Sequence, residues 1–256
     1  MLKGIDVSNW QGSMNFAGND FVIMKASEGI NFKDKMLDKH YNNVVASHIN
    51  CYGFYHYARP DLGNTPESEA DYFLSLVGHH AGKCLFVLDW EQESLNYSTE
   101  WALKWLRRVY QKTGVKPLIY LQASEEWTGK YQNIINEDFG LWVAHWGVSK
   151  PDVRKWGVWA LWQFTDTPLD TNYFNGDVNT WNKYCGATGN TSQSNVIKKG
   201  DRVKVTTRYD YNAVKNASWV LDEIFEVLYE PKNNRVVIGR NGQITGAWDI
   251  LNVRKV

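Results

Sequence analysis

Two carboxylic acids follow an apolar segment in the first half of the sequence. Residues 84–88 are apolar, and Asp89 and Glu91 come directly after them, two positions apart. If the segment is a β-strand, side chains two positions apart point to the same face, so the two carboxyl groups lie close together. Burial and mutual repulsion would raise their pKa values, so that one acid could donate a proton near neutral pH while the other stays ionised. The alternative is an ordinary strand end in solvent, where acids are common.

Further acids and several aromatic residues stand at the ends of other apolar segments. Asp6 ends the first of these segments and Asp170 follows the last one, although either residue could simply form a turn. A pair of carboxylic acids is the usual machinery of glycoside hydrolysis, and flat aromatic rings stack on sugar faces. The pattern therefore predicts a site that cleaves a glycosidic bond. The aromatic residues expected to line it are Tyr55, Tyr57, Tyr120, Trp142 and Trp146.

The sequence offers little for other kinds of catalysis. His56 and His145 lie in different predicted strands, and His79 and His80 are adjacent, so neither pair has the spacing of metal ligands. No Cys pair, His-Glu-x-x-His motif or Gly-x-Ser-x-Gly nucleophile motif occurs. We therefore predict neither a metal nor a cofactor.

Strand-like and helix-like segments alternate along residues 1–185. Helices are predicted from Thr65-Pro66 to about Val77 and from Ser98 to Gly114, where capping residues mark the ends. Such alternation is typical of an α/β fold with a parallel sheet. No Gly-rich phosphate loop follows the first strand, so an irregular β/α (TIM-like) barrel is favoured over an open doubly wound sheet. The predicted strands are 2–7, 21–26, 51–58, 84–90, 117–121, 140–146 and 158–164.

The chain is neutral overall, but its charge is unevenly distributed. The 256 residues include 28 Lys and Arg and 28 Asp and Glu, and a balance of zero argues against a nucleic-acid partner. Residues 1–189 carry 17 basic and 21 acidic side chains, whereas residues 190–256 carry 11 and 7. Eleven of the 13 Trp residues lie in the first part. We predict a catalytic domain at 1–187, a polar linker at 188–195 and a second domain at 196–256.

The sequence carries no sign of membrane insertion or of a disulfide framework. No apolar run approaches the roughly 20 residues that a membrane helix needs. Asp6 comes too early for the core of a signal peptide, so none is expected. The three cysteines, Cys51, Cys84 and Cys185, are odd in number and widely spaced, which predicts buried thiols.

Eight segments in the first 185 residues resemble, in order, the glycoside hydrolase family 25 lysozymes, which are N-acetylmuramidases found in many bacteriophage endolysins. The resemblance implies an irregular β/α barrel that cleaves the β-1,4 bond between N-acetylmuramic acid and N-acetylglucosamine in peptidoglycan, with retention of configuration. The matching segments are 4–12 (GIDVSNWQG), 25–29 (KASEG), 53–60 (GFYHYARP), 88–91 (LDWE), 119–120 (IY), 141–144 (LWVA), 162–164 (WQF) and 169–172 (LDTN).

The resemblance also implies a role for each acid. Glu91 matches the general acid/base, and Asp89 matches the acid that orients the substrate's 2-acetamido group as an internal nucleophile. Asp6 and Asp170 match the acids that complete the site. A carboxylate that attacks the sugar directly is the alternative to assistance by the acetamide. Beside the five aromatic residues, the matching residues expected to bind the substrate are Lys25, Glu28 and Gln163.

Residues 196–256 are predicted to form a small all-β domain. Residues 200–205 alternate between apolar and charged side chains, and Asn241-Gly242 is typical of a tight hairpin. The segment resembles the SH3-like wall-binding modules of endolysins, and its excess of four positive charges would favour an anionic wall polymer such as a teichoic acid. An endolysin would remain in the host cytoplasm until lysis and then act on the wall. Candidate sugar contacts or core residues are Tyr209, Tyr211, Trp219 and Trp248.

Two other functions fit parts of the pattern. A barrel that binds glycans without cleaving them is one, since inactive relatives keep their folds; the intact pair of Asp89 and Glu91 argues against it. A chitinase-like enzyme is the other. It would show alternating acids before the final Glu, where this chain has Leu85, Val87 and Leu88.

Overall fold

The chain forms two compact units, Met1–Gly189 and Asn190–Val256, in a computed structural model. The linker predicted at 188–195 lies outside the residues that the structure describes, so its boundaries stay a prediction. The described residues are 1–186, 197–206, 208, 210–212, 214–232, 235–249 and 253–256.

Eight strands of the first unit close into a barrel. Around the ring they run β1-β9-β8-β7-β6-β5-β4-β2, and β2 pairs with β1 to complete it. Neighbouring strands are parallel except for β9, which is antiparallel to both β1 and β8. The predicted irregular β/α barrel is thereby confirmed. The strands are β1 (Leu2–Val7), β2 (Phe21–Glu28), β3 (Phe32–Lys33), β4 (Cys51–Tyr57), β5 (Leu85–Asp89), β6 (Leu118–Gln122), β7 (Gly140–Ala144), β8 (Leu161–Thr165) and β9 (Thr171–Phe174).

Helices connect several of the barrel strands. The second helix begins after Thr65, whose side chain accepts a hydrogen bond from the amide of Ser68, and the third ends at Gly114 in the left-handed conformation. Between β7 and β8 the described backbone has no helix. No helix of the described residues is long and apolar enough to span a membrane. The helices are α1 (Leu37–Ala46), α2 (Pro66–Val77), α3 (Thr99–Thr113), α4 (Ala123–Trp127), α5 (Gln132–Ile135) and α6 (Val178–Tyr184).

Side chains on β5 alternate between the inside of the barrel and the helical layer. Leu85 and Val87 belong to the apolar cluster inside the barrel, whereas Phe86 and Leu88 pack with the helices. Trp90 continues the outer series and is fully buried there. The alternation therefore places Asp89 and Glu91 on the inner face, as the spacing predicts.

In the described part of the second unit, five strands form an antiparallel sheet in the order β13-β12-β11-β10-β14. Residues 250–252, between the last two strands, lie outside the described part. The strands are β10 (Arg202–Val205), β11 (Phe225–Val227), β12 (Arg235–Arg240), β13 (Gln243–Asp249) and β14 (Val253–Lys255).

The aromatic residues of the second unit differ in exposure. Trp248 is fully buried in the apolar core of the sheet, so the hypothesis that it contacts sugar is wrong. Trp219 and Tyr211 are exposed, at 46% and 39% of their surface. Tyr209 lies outside the described residues. The sequence could not show whether Trp248 is a core residue or a ligand contact, because a Trp can fill a small core as well as bind a ligand.

Candidate active site

The residues predicted to act on a substrate all line one cavity at the carboxyl ends of the parallel barrel strands. Its volume is about 590 Å³. The fold thus brings together side chains from β1, β2 and β4–β8, and from the turn before β9; their chemical roles remain predictions. The twelve residues are Asp6, Lys25, Glu28, Tyr55, Tyr57, Asp89, Glu91, Tyr120, Trp142, Trp146, Gln163 and Asp170.

The cavity also has lining residues that the sequence reasoning missed. Most of them could have been predicted, because they lie in or beside the segments that carry the family resemblance. Asp166, in the connection between β8 and β9, had no signal of its own. The missed residues are Ser8, Trp10, Gln11, Arg59, Gln92, Glu93 and Asp166.

Asp89 is, with Asp6, one of the two most enclosed acids of the site. It is 9% exposed, and its Oδ1 atom has no hydrogen-bond partner among the described residues. Its backbone is fixed, since Asp89 O accepts a hydrogen bond from Ala58 N at 3.1 Å. Burial, followed by the charge of Glu91, raises the pKa of Asp89 well above its ordinary value. A substrate group that donates a hydrogen bond to Oδ1 would favour the ionised form.

Glu91 lies just beyond β5, where the chain leaves the barrel. Its backbone is extended, and its carbonyl oxygen accepts hydrogen bonds from the amide of Ser94 at 3.1 Å and from the hydroxyl of Ser94 at 2.8 Å. Its side chain is half-buried. Burial raises the pKa of Glu91, Lys25 opposes this effect, and the negative charges of Asp170 and Glu93 add to the rise. Glu91 therefore keeps its proton to a higher pH than an exposed glutamate and suits the role of an acid.

Asp6 lies near the end of β1 and lines the same cavity. Its Oδ2 atom accepts hydrogen bonds from Gln163 Nε2 at 3.0 Å and from Asn172 Nδ2 at 2.7 Å. Burial and the nearby charge of Asp170 outweigh these bonds and raise the pKa of Asp6 to about 7. The pKa of Asp170 is itself raised by burial and by Asp166. Asp6 is thus an acid whose charge changes near neutral pH.

We expect the first unit to lose stability as the pH rises from about 4 to about 7, because of Asp6. Between these pH values the folded state keeps a proton on Asp6 that the unfolded state has released. The reason is that the pKa of Asp6 is about 7 in the folded state, whereas its ordinary value is 3.8. The cost at pH 8 is at most about 4 kcal/mol. Asp6→Asn removes that cost and should raise the free energy of unfolding at pH 8 more than at pH 4.

The measurement is denaturant unfolding at both pH values, followed by Trp fluorescence. Asp38→Asn, on the exposed side of α1, is the control and should leave the pH dependence as it is in the wild type. Equal stabilities of Asp6→Asn and the wild type at pH 8 would contradict the expectation.

Two side-chain amides join the aromatic residues to Asp6. Gln163 Oε1 accepts hydrogen bonds from Tyr120 OH and from Trp146 Nε1, both at 3.1 Å. Asn172 Oδ1 accepts a hydrogen bond from Trp142 Nε1 at 2.8 Å. Gln163 is 4% exposed, which leaves it little surface for the substrate. Asn172 was not predicted, although it ends the segment 169–172.

An ionic cluster forms the wall beside β2 and β4. Glu28 accepts hydrogen bonds from Lys25 Nζ at 2.8 Å and from Arg59 Nη1 at 2.6 Å. Burial opposes the ionisation of Glu28, but these two cations outweigh it and hold its pKa below the ordinary value. Lys25 Nζ also lies 4.8 Å from the centre of the Tyr57 ring. Glu28 thus stays ionised and serves to hold Lys25 and Arg59, not to donate a proton.

A buried Ser-His-Glu series lies behind this wall. Ser27 Oγ is 2.8 Å from His56 Nδ1, and His56 Nε2 is 2.7 Å from Glu69 Oε2. All three side chains are fully buried, so no substrate could reach the serine. Glu69 Oε2 also accepts a hydrogen bond from Arg59 N at 3.1 Å. The series therefore fixes the backbone of Arg59 and is not a nucleophilic triad.

Trp146 comes from the connection between β7 and β8. Its ring is 45% exposed at the edge of the cavity. The buried carboxylate of Glu126 holds the far part of this connection, since it accepts hydrogen bonds from the amides of Arg154 and Trp156, each at 2.9 Å, and of Lys155. An exposed indole on an anchored loop is well placed to stack on a sugar.

Buried acids with raised pKa values, grouped among aromatic rings at the carboxyl edge of a β/α barrel, define a glycoside hydrolase. The family model "Glycosyl hydrolases family 25" matches residues 5–173. The chain belongs to this family.

Relatives of known activity resemble the first unit. Lysozyme M1 of Streptomyces globisporus is 34% identical over 205 residues, which cover 69% of this chain and 69% of that protein. The solved structure of a muramidase from Trichobolus zukalii is 27% identical, with a TM-score of 0.66, and the match covers 73% of this chain and 100% of that one. The catalytic domain of the endolysin ply40, from bacteriophage P40 of Listeria monocytogenes, is 25% identical, with a TM-score of 0.56 and coverage of 73% and 98%.

Proposed function

We propose that the protein is a muramidase that hydrolyses the β-1,4 bond between N-acetylmuramic acid and N-acetylglucosamine in peptidoglycan. The observation that carries the proposal is the pair of Asp89 and Glu91 on the inner face of the barrel at the end of β5. Both have raised pKa values, and they lie in a cavity bordered by aromatic rings. Membership of family 25 and the likeness to a lysozyme and a muramidase support the same substrate.

In this mechanism Glu91 donates its proton to the glycosidic oxygen as the bond to the sugar's C1 breaks. The carbonyl oxygen of the 2-acetamido group attacks C1 from the opposite face, which gives a cyclic oxazolinium ion. Asp89 Oδ1 accepts a hydrogen bond from the acetamide N–H, and the ionised carboxylate stabilises the positive charge that develops. Water then attacks C1 and gives its proton to Glu91, so that the configuration at C1 is retained.

The test is the mass of the products from a peptidoglycan of defined structure, reduced with borohydride after digestion. A muramidase leaves N-acetylmuramic acid at the new reducing ends, which reduction converts to muramitol. Reduced N-acetylglucosamine would instead show a glucosaminidase, and free stem peptides an amidase. If the glycan is bound but not cut, the protein is the non-catalytic glycan binder.

We further propose that the second unit is an SH3-like module that binds an anionic wall polymer such as a teichoic acid. Lys204 of β10 and Arg254 of β14 are directly opposite each other in the sheet. Like charges in this position repel, and none of the described carboxylates forms an ion pair with either residue. Lys204 is half-buried, whereas Arg254 and Arg202, two positions from Lys204, are exposed. A phosphodiester polymer bound along this face would relieve the repulsion.

Together the two units fit an endolysin, made in the host cytoplasm and released onto the wall at lysis. The likeness of the first unit to the ply40 catalytic domain supports this role. Attachment to the wall would keep the barrel close to its substrate and raise the effective concentration of glycan at the cavity.

Reversal of charge on the second unit should weaken wall binding. In the full chain made inactive by Glu91→Gln, the pair Lys204→Glu and Arg254→Glu should lower binding to teichoic-acid-bearing walls by at least about fivefold at low salt. High salt should weaken the wall binding of the Glu91→Gln chain and reduce the difference in binding between it and the charge-reversed variant. The matched control reverses Lys35 and Lys39, two exposed lysines of the first unit. If wall binding depends neither on the salt concentration nor on the reversal of charge at Lys204 and Arg254, this polymer site is ruled out.

A further inference from the structure

We infer that Gln163 and Asn172 are positioning residues that hold Asp6, and that Trp146 and Trp142 fix the sense in which the two amides point. The inference rests on the proposed glycoside hydrolysis and concerns residues to which the mechanism above gives no step. We call Trp146–Gln163–Asp6 and Trp142–Asn172–Asp6 the two indole–amide relays.

The two relays have the same order of donors and acceptors. In each, an indole N–H donates to the amide oxygen, at 3.1 Å for Trp146 to Gln163 and at 2.8 Å for Trp142 to Asn172. The NH₂ group of each amide then donates to Asp6 Oδ2, at 3.0 Å from Gln163 and at 2.7 Å from Asn172. Both relays therefore end on one oxygen of one carboxylate.

The indoles decide which way the amides point. An indole N–H can only donate and an amide oxygen can only accept, so the oxygen must face the ring. Rotation of the Asn172 amide by half a turn would place its NH₂ against the Trp142 N–H and its oxygen against Asp6. Both contacts would then be repulsive. The Trp142 N–H thus keeps the NH₂ group of Asn172 directed at Asp6. The Trp146 N–H, together with Tyr120 OH, does the same for the NH₂ group of Gln163.

The amides are the groups that favour a negative charge on Asp6. Burial and the charges of Asp170 and Glu91 oppose ionisation, and the hydrogen bonds from Gln163 and Asn172 act in its favour. Lys25 of β2 is paired with Glu28. The other titratable groups that surround Asp6 are Asp89 on β5, Tyr55 on β4 and Tyr120 on β6.

The relays also direct the carboxylate. With Oδ2 occupied by two donors, Oδ1 has no hydrogen-bond partner among the described residues, and Asp6 lines the cavity. An ionised Asp6 that presents Oδ1 to the substrate would stabilise positive charge on the sugar ring. Loss of a relay should therefore reduce turnover more than affinity.

The test removes one relay at each of its two links. Asn172→Leu should lower kcat by roughly tenfold to a hundredfold and change KM less than about threefold. Trp142→Phe, which keeps an aromatic ring but removes the N–H, should also lower kcat, but by a smaller factor than Asn172→Leu. Because both changes break the same relay, the double variant should be no slower than Asn172→Leu alone.

The pH profile distinguishes positioning from a general loss of structure. Without an amide donor the ionised form of Asp6 is less favoured, so its pKa rises and the acidic limb of the kcat/KM profile moves to higher pH. Carbon-13 NMR titration of the labelled Asp6 carboxyl group should show the same upward shift and needs no substrate. The controls are Trp105→Phe, whose buried indole N–H has no partner among the described residues, and Gln132→Leu on the exposed face of α5.

Three results would overturn the inference. The first is a pKa of Asp6 that does not change in Asn172→Leu. The second is that the effects of Trp142→Phe and Asn172→Leu on kcat are additive. The third is that the control Trp105→Phe shifts the pKa of Asp6 as much as Asn172→Leu does. If Asn172→Leu does not fold, the Asp6 titration in Trp142→Phe decides the question by itself. A wild-type protein that cleaves no peptidoglycan would refute the proposed function, whereas the NMR titration would still report on the relays.

Discussion

Glu91→Gln is expected to lower the rate of peptidoglycan hydrolysis by about two to four orders of magnitude and to leave the fold intact. Glutamine has nearly the shape of glutamate but cannot donate an acidic proton to the glycosidic oxygen. The turn after β5 should survive, because Ser94 bonds to the backbone carbonyl of residue 91 and not to its side chain. The measurements are kcat on soluble peptidoglycan fragments and the circular dichroism spectrum.

Glu67→Gln provides the control, since Glu67 is an exposed glutamate in the first turn of α2 and does not line the cavity. It should hydrolyse peptidoglycan at nearly the wild-type rate. If Glu91→Gln clears cell walls about as fast as the wild type, Glu91 is not the acid. A large loss in both variants would point to damage to the barrel and not to the loss of a proton donor.

Asp89→Asn is expected to lower kcat by about a hundredfold to a thousandfold. Asparagine cannot carry the negative charge that the oxazolinium ion requires, although it fills the same space. Asp89 is buried and its Oδ1 has no partner among the described residues, so the wild-type enzyme depends on the substrate to donate a hydrogen bond there. Asp71→Asn, which affects an exposed ion pair with Arg108, is the matched control and should keep its activity.

The same site makes a prediction about the substrate. If the acetamide is the internal nucleophile, the wild-type enzyme should not cleave a glycan whose muramic acid residues lack the N-acetyl group. Full activity on that glycan would exclude assistance by the acetamide. A covalent glycosyl-enzyme trapped on Asp89 would then identify a direct carboxylate nucleophile.

Local patterns predicted the elements that carry the paired acids. The two-residue period of the strand β5 puts Asp89 and Glu91 on one face, so the sequence alone places the two acids together. The helices α2 and α3 were likewise predicted, because Thr65, Ser98 and Gly114 supply ordinary capping signals. These features depend on neighbours a few positions away in the chain.

Contacts between distant parts of the chain were harder to predict. β9 begins at Thr171, inside the segment 169–172, which has the composition of a turn, and the strand is held by antiparallel pairing with β1 and β8. Asn172 bonds to Asp6 across 166 positions, and an asparagine has no distinctive chemistry until such a partner is known. Trp248 was ambiguous for a similar reason, since only the folded sheet shows that its ring is needed as core.

The closure of the barrel has a consequence for the newly made protein. Asp6 is translated before both of its amide partners, which come 157 and 166 positions later, on β8 and β9. A nascent chain on the ribosome therefore cannot complete the site until the last barrel strand has emerged and joined the first. A chain that ends before residue 172 lacks one of the two donors to Asp6, so it is expected to be inactive.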